Sequence, residues 1–240
     1  MSDAEFDKDD EPTGARSSNG LTQEERKQKR RVQRNLREAH ARGLMQGILS
    51  MLRPGDVVID CGANLGTISG PLAATGAHVH AFEPDPYNFA RLSSLFAETP
   101  NVMLHNSAVG VAAGTVRLMR AANWEDNPDM ASVKSTIIAG GRSIDGDTDH
   151  GIDVELIDFP AFLRGLIAAH GEIAFVKMDI EGAELELLEE MQRQNLFSHI
   201  GLTVAETHER KFKDLRPRFA ALRAAVGAEY PLTKVNLDWI

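Results

Sequence analysis

One segment restricts the fold more than any other: VVIDCGANLGTISG, residues 57–70. An apolar run ends in Asp60 and turns at once through Gly62 and Gly66, with Asn64 between them. A run this short, bounded by turn residues, reads as a buried strand. In an open α/β sheet, the turn after such a strand presents backbone N–H groups and a helix N-terminus to a ligand. Glycines remove Cβ atoms where ligand and backbone must approach, and asparagine tolerates unusual backbone angles.

The same texture repeats along the chain. Strands are expected at Val57–Asp60, Val79–Glu83, Val102–Asn106, Ala174–Asp179 and Leu202–Glu206. Helical patterns lie between them, as in PYNFARLSSLFAET and GAELELLEEMQRQ, with Pro86 and Gly182 near their starts. Pro71 should kink or shorten the helix after the first turn. Alternating elements of this kind predict an α/β fold with a mostly parallel central sheet flanked by helices. With 240 residues, 42% of them hydrophobic, the chain can bury one such core, placed at 51–240. Residues 123–150 are polar and long for a connection, which predicts a loop or hairpin insertion. Trp124 within it could cover a ligand, whereas Trp239 reads as packing.

Residues 1–20 combine acids, Ser, Gly and Pro with almost nothing to bury, and are expected to form a disordered acidic tail. Residues 21–50 read as a basic helix, opened by a Thr22/Glu25 capping box and closed at Gly43. Eight Lys and Arg against three Glu give Leu21 to Gly43 a local charge of +5, although the whole chain carries -9. The acidic total argues against general phosphate-backbone binding and leaves only 21–43 as an RNA-binding arm. A solvated surface helix explains the same charge run. The single cysteine, Cys61, excludes an internal disulfide and reads as a small buried side chain. No apolar stretch is long enough to span a membrane and the acidic start does not resemble a signal peptide, so a cytoplasmic location is expected.

Asp60 carries the first clue to the ligand. A dinucleotide site prefers G-x-G-x-x-G and no acid facing the phosphates, which disfavours a nucleotide-linked dehydrogenase. A carboxylate suits a cation better, and S-adenosylmethionine carries both an ammonium and a sulfonium. Glu83 then falls at the end of the second strand, where an acid can accept both hydroxyl hydrogens of a ribose.

The order of DCGANLG, FEPDPYNF and VKMDIEGAELELL resembles the class I, Rossmann-like methyltransferases, and specifically the FkbM-type methyltransferase family, from about Arg53 to Arg223. The resemblance implies S-adenosylmethionine as donor and O-methylation of a hydroxyl on a sugar, glycolipid or secondary metabolite. It implies that Asp60, Gly62, Asn64 and Gly66, with Ala63 in the same turn, border the methionine part. Glu83, followed by Pro84, would hold the ribose, and Asn106, Ser107 and Ala108 would frame the adenine. The C-terminal GAEYPLTKVNLDWI departs from the family scaffold, with space for one strand and hardly for a closing hairpin.

Methyl transfer to oxygen is an in-line displacement that needs alignment and removal of a hydroxyl proton. Asp179, at the end of its strand, is the preferred residue to orient the acceptor or act as base, with Glu181 helping. Lys177, two before Asp179, shares its face and can pair with an acid. Glu206 and His208 end the next strand, and His208 is the better base by intrinsic pKa. Asp179, Glu181, Glu206 and His208 are of types that together suit magnesium or manganese, yet spacing alone does not make a metal site and none is assigned. Two rival readings stay open: an RNA methyltransferase using the basic helix, and a non-catalytic protein that binds the donor or a partner.

Overall fold

The computed structural model describes residues 22–120, 136–137, 151–209 and 211–239. The expected tail and almost all of the 123–150 insertion, including Trp124, lie outside these residues. Contacts divide the chain into two units, one reaching Gln46 and one running from Gly47 to Trp239. No described helix is long and apolar enough to cross a membrane.

The first unit holds most of α1 (Gln23–Met51). The capping box forms as expected: Thr22 N–H donates to Glu25 Oε2 at 2.7 Å and Glu25 N–H donates to Thr22 Oγ1 at 3.2 Å. The helix does not close at Gly43 but continues to Met51. An interior glycine weakens a helix by only about 1 kcal/mol, less than the ladder on both sides supplies. Val32 and Leu36 are exposed on it, in keeping with a solvated helix.

The second unit carries nine strands among the described residues, in two sheets. The larger has the order β3-β2-β1-β7-β8-β9, from β1 (Val57–Cys61), β2 (His78–Phe82), β3 (Val102–His105), β7 (Ile173–Met178), β8 (Ile200–Ala205) and β9 (Val235–Asn236). All its pairings are parallel. Every residue of β1 is buried, as a parallel strand with helices on both faces requires. The strand order reverses beside β1, so a crevice opens where β1 and β7 end side by side. The chain closes with β9 alone, two residues parallel to β8, and a bridge from Glu206 to Asp238. Trp239 is buried as packing.

The smaller sheet is not foreseen by the strand pattern. It joins β4 (Ala108–Gly110), β6 (Ile152–Asp158) and β5 (Gly114–Leu118), with β4 parallel and β5 antiparallel to β6. Three-residue β4 is too short to show a period, and its partner lies far along the chain. Thr136 extends the sheet's edge through a bridge to Met119.

Helices α2 (Ser69–Ala74), α3 (Pro86–Leu95), α4 (Phe159–His170), α5 (Glu184–Arg193) and α6 (Arg216–Glu229) connect the strands. Pro71 lies in α2, which is only six residues long, as expected. Asp85 caps α3 by accepting from Tyr87 N–H at 2.9 Å, with Pro86 preset at the first helical position. Arg120 grips the same carboxylate through two bonds of 2.8 and 2.9 Å, tying the end of β5 to the start of α3.

Beneath α4, His80 Nδ1 and His105 Nε2 lie 3.1 Å apart, with His105 stacked on Phe82. Burial, helped by His105, His170 and His78, pushes His80 down to about 4 from an ordinary 6.5. The unfolded chain therefore binds more protons across this window, and stability falls as pH drops through it. In denaturant titrations, His80→Phe is expected to show a flatter fall between pH 6.5 and 4 than the parent protein. Equal slopes would show that the imidazole pair does not set acid stability.

Candidate active site

The turn leaving β1 is shaped by the protein's own packing. Gly62 and Ala63 both donate to Phe82 O, at 3.0 and 2.9 Å, and Gly66 N–H closes the turn on Ala63 O at 2.8 Å. Asn64 is left-handed, with φ 48°, as its residue type allows. The fold itself demands glycine at both positions. A Cβ on Gly62, whose φ is +81°, would stand 1.9 Å from the carbonyl oxygen of Asp179. One on Gly66 would meet Phe96, Leu95 and Leu92 at 2.9–3.1 Å. The closeness these positions require is to β7's exit and to the α3 end.

Asp60 finds its partner inside the fold. It is fully buried, and Ser69 Oγ donates to its Oδ2 at 2.7 Å. Its Oδ1 lies 3.2 Å from Lys177 Nζ, its register neighbour on β7. The positive charge expected from a ligand comes from within the fold. Burial opposes charge on Lys177, but Asp60 and then Asp179 outweigh it and hold the ammonium above its ordinary value. Lys177 also donates to Gly62 O at 2.9 Å and sits 3.6 Å from Asp179 Oδ2, so one cation fastens the ends of β1 and β7 together.

A cavity of about 200 Å³ opens beside this junction. Of the residues expected to hold the donor, Gly62, Asn64, Glu83, Pro84, Ser107 and Ala108 line it, together with Phe82, Val109, Leu118, Thr136 and Ile137. Asp60, Ala63, Gly66 and Asn106 are not part of the lining. Asn106 instead clamps the chain at Glu83 and Pro84, donating to their carbonyls at 2.9 and 3.2 Å. Glu83 is buried, with Oε2 accepting Asn64 N–H at 2.8 Å and Oε1 accepting Asp85 N–H at 2.9 Å. Burial pushes its carboxyl up to about 7 against those two donors. Asn64 Oδ1 is buried with no hydrogen-bond partner among the described residues, an acceptor left open beside the cavity.

The opposite wall is Asp179, Ile180, Glu181 and Ala183. The loop between β7 and α5 is held in shape by Glu184, a residue the sequence reading passes over. Its buried carboxylate accepts Ile180 N–H at 2.8 Å and Gly182 N–H at 3.0 Å, and meets His208 Nδ1 at 2.9 Å. The only local signal is an acid in the first turn of α5. Glu181 and Gly182 both have positive φ, 59° and 114°, and a Cβ on Gly182 would be driven to 2.1 Å from the Phe212 ring. Glu181 is bonded to Lys211, another residue not singled out by sequence, and burial raises its carboxyl despite that bond.

His208 is buried behind Asp179 and does not line the cavity. Burial disfavours its charge, but the bond to Glu184 and the charges of Glu184 and Glu181 outweigh this and push it up to about 9. At neutral pH it is therefore an imidazolium, which reverses the expectation of a free base from intrinsic pKa. Glu206 is pushed up to about 7 by burial and by the charge of Asp179. The structure thus brings Lys177, Asp179, Glu181, Glu206 and His208 together, and gives only Asp179 and Glu181 to the cavity wall.

Comparison with known proteins finds a family and several similar chains. Residues 60–230 match the family model described as the methyltransferase FkbM domain. Among similar proteins is 31-O-demethyl-FK506 methyltransferase FkbM of Streptomyces tacrolimicus, 31% identical in an alignment 183 residues long that covers 66% of this chain and 67% of that one. Another is hexuronic acid methyltransferase AglP of Haloferax volcanii, 28% identical over 164 residues, 67% of this chain and 59% of that protein. The crystal structure of methyltransferase FkbM from Methylobacillus flagellatus KT aligns with a TM-score of 0.41 at 18% identity, covering 73% of this chain and 39% of that one.

Proposed function

Since this chain belongs to the FkbM methyltransferase domain family, we propose that it is an S-adenosylmethionine-dependent O-methyltransferase whose acceptor is a hydroxyl of a sugar, glycolipid or secondary metabolite. The observation that carries this reading is the cavity at the ends of β1 and β2. There Glu83 and the unpartnered Asn64 Oδ1 offer acceptor oxygens on one side and Asp179 offers a carboxylate on the other. One relative is named for a 31-O-demethyl compound and the other for a hexuronic acid, both of them oxygen-rich molecules.

The residues present fit the donor. An orphaned acceptor, and a buried carboxylate that receives two backbone N–H groups and a side-chain bond from Asn88 out of about four lone-pair sites, have capacity left for ammonium and hydroxyl donors. Glu83 would hold the ribose hydroxyls, Asn64 and the Gly62 turn the amino-acid part, and Ser107 and Ala108 the base. When bound, S-adenosylmethionine supplies an electrophilic methyl group. Asp179 then orients the acceptor hydroxyl and takes its proton. Lys177 at 3.6 Å and His208 at 3.8 Å flank its carboxylate and fix its direction. Such alignment and proton removal are the two contributions the reaction asks of the protein.

Calorimetry tests the donor half. S-adenosylmethionine and S-adenosylhomocysteine are expected to bind, and Glu83→Gln to weaken both by roughly 10- to 100-fold, the loss of charge-assisted bonds. Because Glu83 sits near 7 in the free protein and the ligand's hydroxyls favour its charged form, affinity should rise with pH and level off above about 7. Below that point it should fall by roughly tenfold per pH unit, and Glu83→Gln should flatten the profile. Tight NAD binding with no response to either sulfur ligand would overturn the reading.

A further inference from the structure

We propose that Asp179, Glu206 and His208 form a binding site for one divalent cation, manganese or magnesium, against the acceptor side of the cavity. Asp179 and Glu206 stand just past the ends of adjacent strands β7 and β8, and His208 follows two residues later. One ligand atom from each lies within 4.8 Å of the others. His208 Nε2 is 3.8 Å from Asp179 Oδ1 and 3.8 Å from Glu206 Oε1.

The histidine gives this cluster its direction. Its side chain is only 5% exposed, and Nδ1 is pinned by Glu184, itself fixed by two backbone N–H groups. Nε2 points at carboxylate oxygens of Asp179, Glu181 and Glu206, all at 3.6–3.8 Å and so beyond hydrogen-bond length. The buried ring thus aims Nε2 into the acids with no partner at bonding distance among the described residues. A carboxylate behind the far nitrogen is the arrangement by which proteins orient a metal-binding imidazole and strengthen it as a ligand, the ion taking the place of the Nε2 proton, which is released on binding.

The neighbouring cations leave one oxygen of Asp179 to the ion. Lys177 lies nearest Asp60 and Gly62 O and meets Asp179 only at Oδ2, 3.6 Å away, whereas Oδ1 is the oxygen that faces His208; Lys211 is bonded to Glu181. Two carboxylates and one imidazole suit an oxygen-preferring ion. Bond lengths of about 2.1 Å need only a small inward rotation of two part-exposed carboxylates. Three ligands leave positions for water or an acceptor oxygen, whose acidity the ion would raise. The ion's place in methyl transfer rests on the proposed function; the binding site itself does not.

The test is manganese titration of the full chain after chelator treatment, with free Mn²⁺ followed by electron paramagnetic resonance. One ion per chain is expected, with affinity reduced at least tenfold in Glu206→Gln and in Asp179→Asn, and by roughly 10- to 100-fold in Glu184→Gln. Circular dichroism checks that each variant is folded, and the near-isosteric Glu206→Gln keeps the test usable if another is not. No binding at millimolar Mn²⁺, or binding that all three variants leave unchanged, overturns the site. Titrating S-adenosylhomocysteine into the same samples separates the two readings. Homocysteine-ligand binding without manganese defeats the cation site alone, and manganese binding without it defeats the methyltransferase reading alone.

Discussion

Replacing Lys177 with methionine is expected to destabilise the protein by about 3–5 kcal/mol, the usual effect of removing one partner from a buried ion pair. Both members are enclosed, Asp60 completely and Lys177 at 4% exposure, so solvent screens neither. Losing the ammonium leaves the Asp60 carboxylate uncompensated beneath the first turn and frees Gly62 O from its bond. Adding Asp60→Asn should recover at least about 1–2 kcal/mol, since the buried charge is gone and an amide oxygen can still accept from Ser69. Denaturant midpoints for the parent, both single variants and the double variant measure this directly. A cost below about 1 kcal/mol for Lys177→Met would show that the pair does not hold the two strands together.

That pairing also shows where sequence reading stops. Strands β1, β2, β3, β7 and β8 are legible to within a residue or two because a strand covered on both faces must be apolar almost throughout. Lys177 and Asp179 are visibly on one face of one strand. That Asp60 faces Lys177 depends on β1 and β7 being neighbours, separated by more than a hundred residues, and no local pattern carries that fact. The acid at the first strand end is therefore legible as important and misread in its partner. The second sheet is hidden for the same reason, as β4 and β5 acquire a partner only when β6 arrives.

The half of the cavity proposed for the donor is the more legible half. Glu83 and Asn64 follow directly from their place after consecutive strands, and both reach the cavity. The roles of His208 and Glu184 do not follow, because an imidazole's protonation is set by what touches it. Glu184 reads as one more acid at a helix start, and only the folded loop brings its carboxylate onto Nδ1 and two backbone N–H groups at once.

Gly62→Ala is expected to cost more than about 4 kcal/mol or to prevent folding, and to do so with no ligand present. A non-glycine residue at φ +81° already costs about 1–2 kcal/mol. The added carbon would also stand 1.9 Å from Asp179 O, against a contact distance above 3.0 Å. That oxygen belongs to backbone whose own N–H is bonded to Cys61 O at 3.1 Å, so the overlap cannot be relieved by turning a side chain. Gly66→Ala supplies the control. It carries the same φ but meets only side-chain carbons of Phe96, Leu95 and Leu92, so about 2–4 kcal/mol is expected from strain and overpacking. Denaturant unfolding of the two variants should rank Gly62→Ala clearly the worse, and equal costs would mean that the turn's φ, not the approach of β7, is what selects glycine. Any Gly62→Ala protein that does fold must have moved the end of β7 by about an ångström, a displacement large enough to cost roughly a hundredfold in an alignment-dependent reaction. Because Asp179 moves with it, such a protein should lose methyl transfer in step with that displacement, which ties the first glycine of the opening turn to the acceptor side of the cavity.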